Sequence, residues 1–237
     1  MRVFLINLEK NKERLAYMQA QLERLGVAFE RIPAVYGKEL SRKELCRKFS
    51  AFRSYCATGV RLTLGEVGCA LSHIKIYRRM IEENLSYALI FEDDIIIDSS
   101  LNVKLQEIER FINPQKAQVV LLSALGFDGG NTPGILKNDK AMCTDGYVIT
   151  LPAAKKICYT NHPVVLTADS WRRWEKRFGV EIYCCWPPVV LQDNATFGTD
   201  VNTVNRKVTL GIWKWFRKAR RVPEVFIDWL WFKVRGK

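Results

Sequence analysis

A chain of 237 residues has room for one sizeable α/β domain with an appendage, and not for two comfortable domains. Hydrophobic residues make up 48% and charged residues 26%, which excludes wholesale disorder, and no apolar run reaches the roughly eighteen residues that a membrane span needs. The net charge is +12, and two thirds of that excess lies in residues 205–237, where ten Lys and Arg stand against Glu224 and Asp228; the asymmetry points to an anionic partner for the tail.

Residues 3–8 form a short apolar β run, too brief for a secretory leader, that turns charged at Glu9. A helix then starts at Asn11 and Lys12, carries Leu15, Met18, Leu22 and Leu25 on one face, and closes at Gly26. Residues 27–32 read as a second strand that stops at Pro33, completing a βαβ opening of a parallel sheet. Residues 37–63 are irregular and basic and predict a short helix with a loop. Thr63 and Glu66 have the spacing of a capping box, followed by the apolar stripe Val67, Ala70, Leu71, Ile74, Tyr77 and Ile81 of a helix ending near Asn84.

Residues 87–91 are almost continuously apolar, as in a strand covered on both faces. Residues 101–112 predict a helix and residues 118–123 a buried strand, while residues 126–138 are rich in Gly, Asn and Pro and suit a lid or substrate wall. Residues 147–149 form a strand, and Pro152 in a first helical turn starts a helix to Tyr159. Asp169 and Ser170 can cap a helix containing Trp171 and Trp174, and residues 187–191 suggest an edge strand. The seven cysteines are odd in number, show no CxxC pair and lie mostly among apolar neighbours. They read as reduced core thiols of a cytosolic protein, neither a disulfide frame nor a zinc site.

The oddest feature is Glu92-Asp93-Asp94, three acids between the apolar runs 88–91 and 95–97. Carboxylates buried at a strand end are costly and repel one another unless a cation compensates. In an open α/β sheet ligands sit beyond the carboxyl ends of the strands, where this triplet would lie. Hard oxygen ligands favour Mg²⁺ or Mn²⁺, which complete their shells with water and substrate phosphates.

Several segments together are specific: Phe4-Leu5-Ile6-Asn7-Leu8 with Arg14, Ile32-Pro33-Ala34-Val35 with Gly37, the run LGEVGCALSH at 64–73, YALIFEDD at 87–94, and Gly146-Tyr147-Val148-Ile149. In these the sequence resembles glycosyltransferase family 25, the bacterial lipooligosaccharide galactosyltransferases. The resemblance implies a GT-A (Rossmann-like) α/β fold for the catalytic domain, placed over residues 1–204, while the charge and aromatic pattern set apart a basic aromatic helical tail over residues 205–237. It implies a UDP-sugar donor, UDP-galactose first, an acidic metal-binding motif of the DxD type, and inverting transfer of a hexose to a saccharide acceptor in lipooligosaccharide or lipopolysaccharide biosynthesis. Carried over by position, Asp94 looks like the principal ligand of Mn²⁺ or Mg²⁺, with Glu92 or Asp93 toward ribose and diphosphate, and Asn7, Leu8 and Arg14 lining the nucleotide pocket. The triplet departs from a strict DxD by carrying Glu first, so the acid that touches the ion stays open.

Asp169, which resembles the acid of the family's second half and falls in a loop before the tryptophan-bearing helix, is the expected catalytic base and Asp145 the reserve; a helix N-cap is the competing role for Asp169. His73 falls within the apolar periodicity of its helix and reads as a hydrogen-bonded core residue, or one behind the metal ligands. Trp171 and Trp174 stand three apart, so at least one belongs to the core while sugar stacking stays open. Trp213-Lys214-Trp215-Phe216-Arg217-Lys218 and Trp229-Leu230-Trp231-Phe232-Lys233 suit an anionic membrane surface, which would place the enzyme in the cytoplasm, peripheral to the inner face of the membrane. Two other classes compete: a metal-dependent phosphohydrolase, and a basic nucleic-acid-binding protein. The second leaves the acidic triplet unexplained, and no nucleic-acid partner is expected.

Overall fold

The computed structural model describes residues 1–193 and 195–197. The expected tail, with the membrane surface assigned to it, lies outside the described residues. Among the described residues no helix is long and apolar enough to cross a membrane.

The chain opens as β1 (Arg2–Asn7), α1 (Lys12–Arg24) and β2 (Glu30–Pro33), with β1 and β2 parallel. The second strand starts later than its apolar pattern suggests. The Val27 N–H donates to the Leu22 carbonyl and Gly26 takes a left-handed φ of 67°, so residues 26 and 27 close the helix before extended pairing begins. Pro33 is tolerated inside β2 because that strand forms the sheet edge.

The basic region expected as one helix and a loop holds a 3₁₀ turn (Gly37–Glu39), α2 (Arg42–Lys48) and α3 (Ala51–Thr58). A second capping box, Ser41 with Glu44, starts α2. The Thr63–Glu66 box starts α4 (Leu64–Glu82), with the Glu66 N–H donating to Thr63 Oγ1 and the Thr63 N–H donating back to Glu66 Oε2 at 2.8 Å.

There follow β3 (Tyr87–Phe91), β4 (Ile95–Ile97), α5 (Leu101–Phe111), β5 (Gln118–Leu121), β6 (Gly134–Lys137), β7 (Gly146–Thr150), α6 (Leu151–Thr160), α7 (Trp171–Phe178), β8 (Glu181–Trp186) and β9 (Val190–Gln192). The main sheet has seven strands in the order β2-β1-β3-β7-β5-β8-β6; β7 and β6 run against the other five, and β4 pairs with β9 in a separate two-stranded sheet. The Gly-rich segment expected as a loop thus contributes the edge strand β6 beside β8.

Both faces of the sheet are covered, which is why β3 reads as a continuous apolar run. Ala88 and Ile90 enter the cluster under α4 and α6, and Leu89 and Phe91 enter the cluster under α1 and α5.

One close approach ties this core to the site. Gly68 in α4 faces the turn after β2, where an added Cβ would meet the Val35 carbonyl and the Gly37 backbone; an added Cβ at Gly37 would strike the Leu64 carbonyl. Ser72 Oγ clamps the same turn by accepting from the Val35 N–H at 2.8 Å. Gly68→Ala should therefore cost about 1–3 kcal/mol of stability by overpacking. Urea unfolding measures it, and an unchanged midpoint would show that the turn simply yields.

Candidate functional site

Two features of the topology gather the acids. β1 and β3 are parallel, with Leu5 opposite Phe91, so Asn7 and the residues after Phe91 emerge from the same edge of the sheet. β7 is antiparallel to β3, with Gly146 opposite Phe91, so the residue that enters β7, Asp145, lies beside the one that leaves β3, Glu92. The Glu92 N–H donates to the Asp145 carbonyl at 3.0 Å. Above them is a cavity of about 410 Å³ lined by every residue the sequence nominated: Asn7, Leu8, Arg14, Glu92, Asp93, Asp94, Asp145 and Asp169.

The three adjacent acids have different surroundings. Asp93 accepts from Asn7 Nδ2 at 2.6 Å and from Arg14 Nη1 at 3.2 Å. Asp94 has its Oδ2 3.5 Å from Arg14 Nη1, while its Oδ1 is buried with no hydrogen-bond partner. Glu92 accepts at one oxygen from Thr144 Oγ1 and lies 3.2 Å from His73 Nε2.

Their acidities separate accordingly. Burial, reinforced by the charges of Glu92 and Asp93, pushes the Asp94 carboxyl up to about 7. Burial and the Glu92 charge push Asp145 up to about 7 as well. Asp93 is also raised, burial outweighing its bonds to Asn7 and Arg14. For Glu92 burial is again the largest influence, but the bond from His73, with the Thr144 bond and the Arg14 charge, together hold the carboxyl below its ordinary value. A desolvated carboxylate oxygen without a donor, beside two further acids, is what a divalent cation would satisfy. The residues present fit such an ion, with Asp94 Oδ1 the free ligand atom and Asp93 and Glu92 next to it.

His73 is buried at 1% exposure. Its Nδ1 lies 2.6 Å from Tyr147 Oη, which lies 2.7 Å from Tyr77 Oη. With Glu92 ionised, its Oε1 must be met by a donor, so the chain of bonds runs one way: Tyr77 to Tyr147, Tyr147 to Nδ1, and Nε2–H to Glu92. His73 thus stands behind an acid of the site and fixes its direction. Trp171 and Trp174 are 0% and 1% exposed, so both belong to the core and neither is open to a sugar. The residue that precedes α7 as its cap is Ser170, not Asp169. Asp169 itself is exposed, on the rim of the cavity.

Other lining residues escaped the sequence reading. Tyr36, with Lys10 Nζ 4.3 Å from its ring centre, projects from the turn after β2. Thr144 carried no signal apart from its nearness to Asp145. Cys69 shares the apolar setting of the other cysteines, which are all free but not uniformly internal: Cys158, Cys184 and Cys185 are buried, Cys46 is exposed, and the rest are intermediate. The chain after β9 backs the triplet, since the Asp193 N–H donates to the Asp94 carbonyl at 2.7 Å and Arg14 Nη2 donates to the Phe197 carbonyl at 3.0 Å.

This geometry coincides with similarity to known proteins. Procollagen galactosyltransferase 1-A of Xenopus laevis is 31% identical over 167 residues, covering 65% of this chain and 27% of its own length. A glycosyltransferase 25 family member of Drosophila pseudoobscura pseudoobscura is 39% identical over 99 residues, covering 40% of this chain and 16% of its own. Human procollagen galactosyltransferase 2 is 26% identical over 175 residues, covering 67% of this chain and 27% of its own. The chain therefore spans a minor part of these relatives. The family described as glycosyltransferase family 25 (LPS biosynthesis protein) matches residues 1–171, which contain the acidic triplet, Arg14, Asp145 and Asp169. A match across most of the chain, taking in nearly all of the cavity wall, makes this protein a member of glycosyltransferase family 25.

Proposed function

We propose that the chain is a GT-A enzyme that transfers a hexose, galactose first, with inversion from a UDP-sugar to a saccharide acceptor in lipooligosaccharide or lipopolysaccharide biosynthesis. The observation that carries the reading is the buried, unpartnered Oδ1 of Asp94 beside Asp93 and Glu92, in a cavity that also offers the Arg14 cation. A nucleotide diphosphate brings the negative charge that Arg14 can meet, and the nucleoside can lie along Leu8 and Tyr36. Bound at the triplet, Mn²⁺ or Mg²⁺ would neutralise the departing diphosphate.

The chain's own residues supply the rest. Asn7 holds Asp93 by its amide, and His73 and Thr144 hold Glu92, so the acids are oriented before substrate arrives. Asp169, on the open rim, takes the proton of the acceptor hydroxyl as that oxygen attacks the anomeric carbon, and the proton remains on its carboxyl. Displacement in one step from the face opposite UDP inverts that carbon.

A melting-temperature series with UDP-galactose, with and without Mn²⁺, tests the donor. The cation should raise the melting temperature by roughly 5–10 °C at saturating ligand. The gain should be larger at pH 8 than at pH 5.5, because the cation displaces protons from carboxyls that titrate near 7. A gain that is equal at both values would remove Asp94 from the binding of the ion. Product analysis then separates the rival class: UMP with galactose 1-phosphate, or free phosphate, and no glycosylated acceptor would make the protein a phosphohydrolase.

A further inference from the structure

We propose that Cys69, His73 and Glu92 form a second cation site, softer than the carboxylates of Asp93 and Asp94, that takes Zn²⁺ in preference to Mn²⁺ or Mg²⁺. One ligand atom from each of the three, a sulfur, a ring nitrogen and a carboxylate oxygen, lies within 4.8 Å of the other two. Cys69 and His73 are four apart on α4 and so share a face, and Glu92 reaches them from the end of β3. Zinc bonds of about 2.0–2.3 Å would set such atoms ~3.5 Å apart, so the group has to contract by about 1 Å. All three line the cavity, which leaves the fourth position of a tetrahedron open to water or substrate.

The surroundings of His73 support the assignment. A ligating histidine is normally held through its other nitrogen, and here Nδ1 lies 2.6 Å from Tyr147 Oη, itself backed by Tyr77 at 2.7 Å. On cation binding the neutral imidazole changes tautomer: Nε2 gives its proton to solvent and ligates, Nδ1 takes one from solvent and donates to Tyr147 Oη, and the Tyr147 hydroxyl turns to donate to Tyr77. Zn²⁺ takes the sulfur as thiolate, so its uptake releases the Cys69 thiol proton to solvent. The sulfur decides the ion, since Mg²⁺ and Mn²⁺ favour oxygen while thiolate and imidazole together suit Zn²⁺. Glu92 belongs to both sets of ligands, so Zn²⁺ here opposes donor binding; that consequence, though not the site, rests on the donor reading.

Co²⁺ in the presence of excess Mg²⁺ is the probe. The full chain should show a thiolate-to-cobalt absorption band that saturates at one equivalent, that Zn²⁺ abolishes, and that Cys69→Ser lacks while keeping the cation-free melting temperature. No band, or a band that survives Cys69→Ser, overturns the site. Zinc-edge X-ray absorption of the unaltered chain with one equivalent of Zn²⁺ decides the matter without any variant. One sulfur at about 2.3 Å beside nitrogen and oxygen supports the site, and a shell with no sulfur, or with several, overturns it. One equivalent of Zn²⁺ should also weaken Mn²⁺-dependent UDP binding at least tenfold, and unchanged UDP affinity overturns the antagonism. A chain that binds no UDP under any condition speaks against the donor reading and leaves the cobalt and absorption results to stand.

Discussion

Asp94→Asn should lower transferase turnover by about a thousandfold, the several kcal/mol of charge stabilisation that a metal ligand supports, and should abolish the rise in melting temperature given by Mn²⁺. The same substitution should leave the cation-free chain as stable as before, or more so, at pH 8. The sign follows from linkage. An Asp whose carboxyl titrates near 7 in the folded chain, above its ordinary 3.8, binds its proton more tightly folded than unfolded. Its ionisation therefore removes stability as pH rises from about 4 to about 7, and that loss is complete above. Asn at this position carries no charge. Its oxygen can keep the place near Arg14, and its amide group takes the place of the unpartnered Oδ1. A carboxylate retained only to hold the fold together would behave in the opposite way, with a fall in melting temperature. Measuring both quantities on one sample distinguishes a cation ligand from a structural acid; a fall in cation-free stability with turnover retained would remove Asp94 from the centre of the site.

What the sequence made legible was local. The capping box of α4 needs only Thr63 and Glu66 three residues apart, and the buried strand β3 with its acidic end lies within eight residues. Asn7, Arg14 and Asp169 are legible only through family resemblance, and Asp145 only as a further acid, because their convergence depends on pairings distant in the chain. Asp145 meets Glu92 only because β7 is inserted antiparallel between β3 and β5, and nothing local to Gly146 announces that direction. Strand β8 is hard to read from sequence, although Ile182 and Cys184 face one core cluster in alternation, because Tyr183, Cys185 and Trp186 are apolar too and give no contrast in polarity. Strand β6 was hidden for another reason: its four residues follow directly on the Gly, Asn and Pro-rich run before Gly134, and so short an edge strand is extended by its pairing with β8. The pairing of Cys69 with His73 was present as an i, i+4 spacing, but a CxxC search passes over it, and the third member arrives from another element.

Asp169→Asn should cut turnover by roughly a hundredfold or more while UDP affinity and the Mn²⁺ effect on melting temperature stay close to those of the unaltered chain. Position argues for this division. Asp169 is exposed at the rim, where an acceptor sugar entering from solvent can bring a hydroxyl to it, and its side chain is not committed to capping α7. Asp145 is buried at 4% exposure against Glu92, on the floor that the donor would cover, and its carboxyl titrates near 7. The pH profile separates the two. Were Asp145 the base, kcat would rise through about 7 as its proton leaves, and Asp145→Asn would abolish that limb together with turnover. With Asp169 as base, Asp145→Asn removes one like charge beside Glu92 and Asp94, eases ionisation of Asp94, and moves the pH at which Mn²⁺ binds downward, with turnover retained. Unchanged turnover in Asp169→Asn, joined to loss of the limb in Asp145→Asn, would transfer the proton to the floor of the cavity and require the acceptor to enter far deeper than the rim.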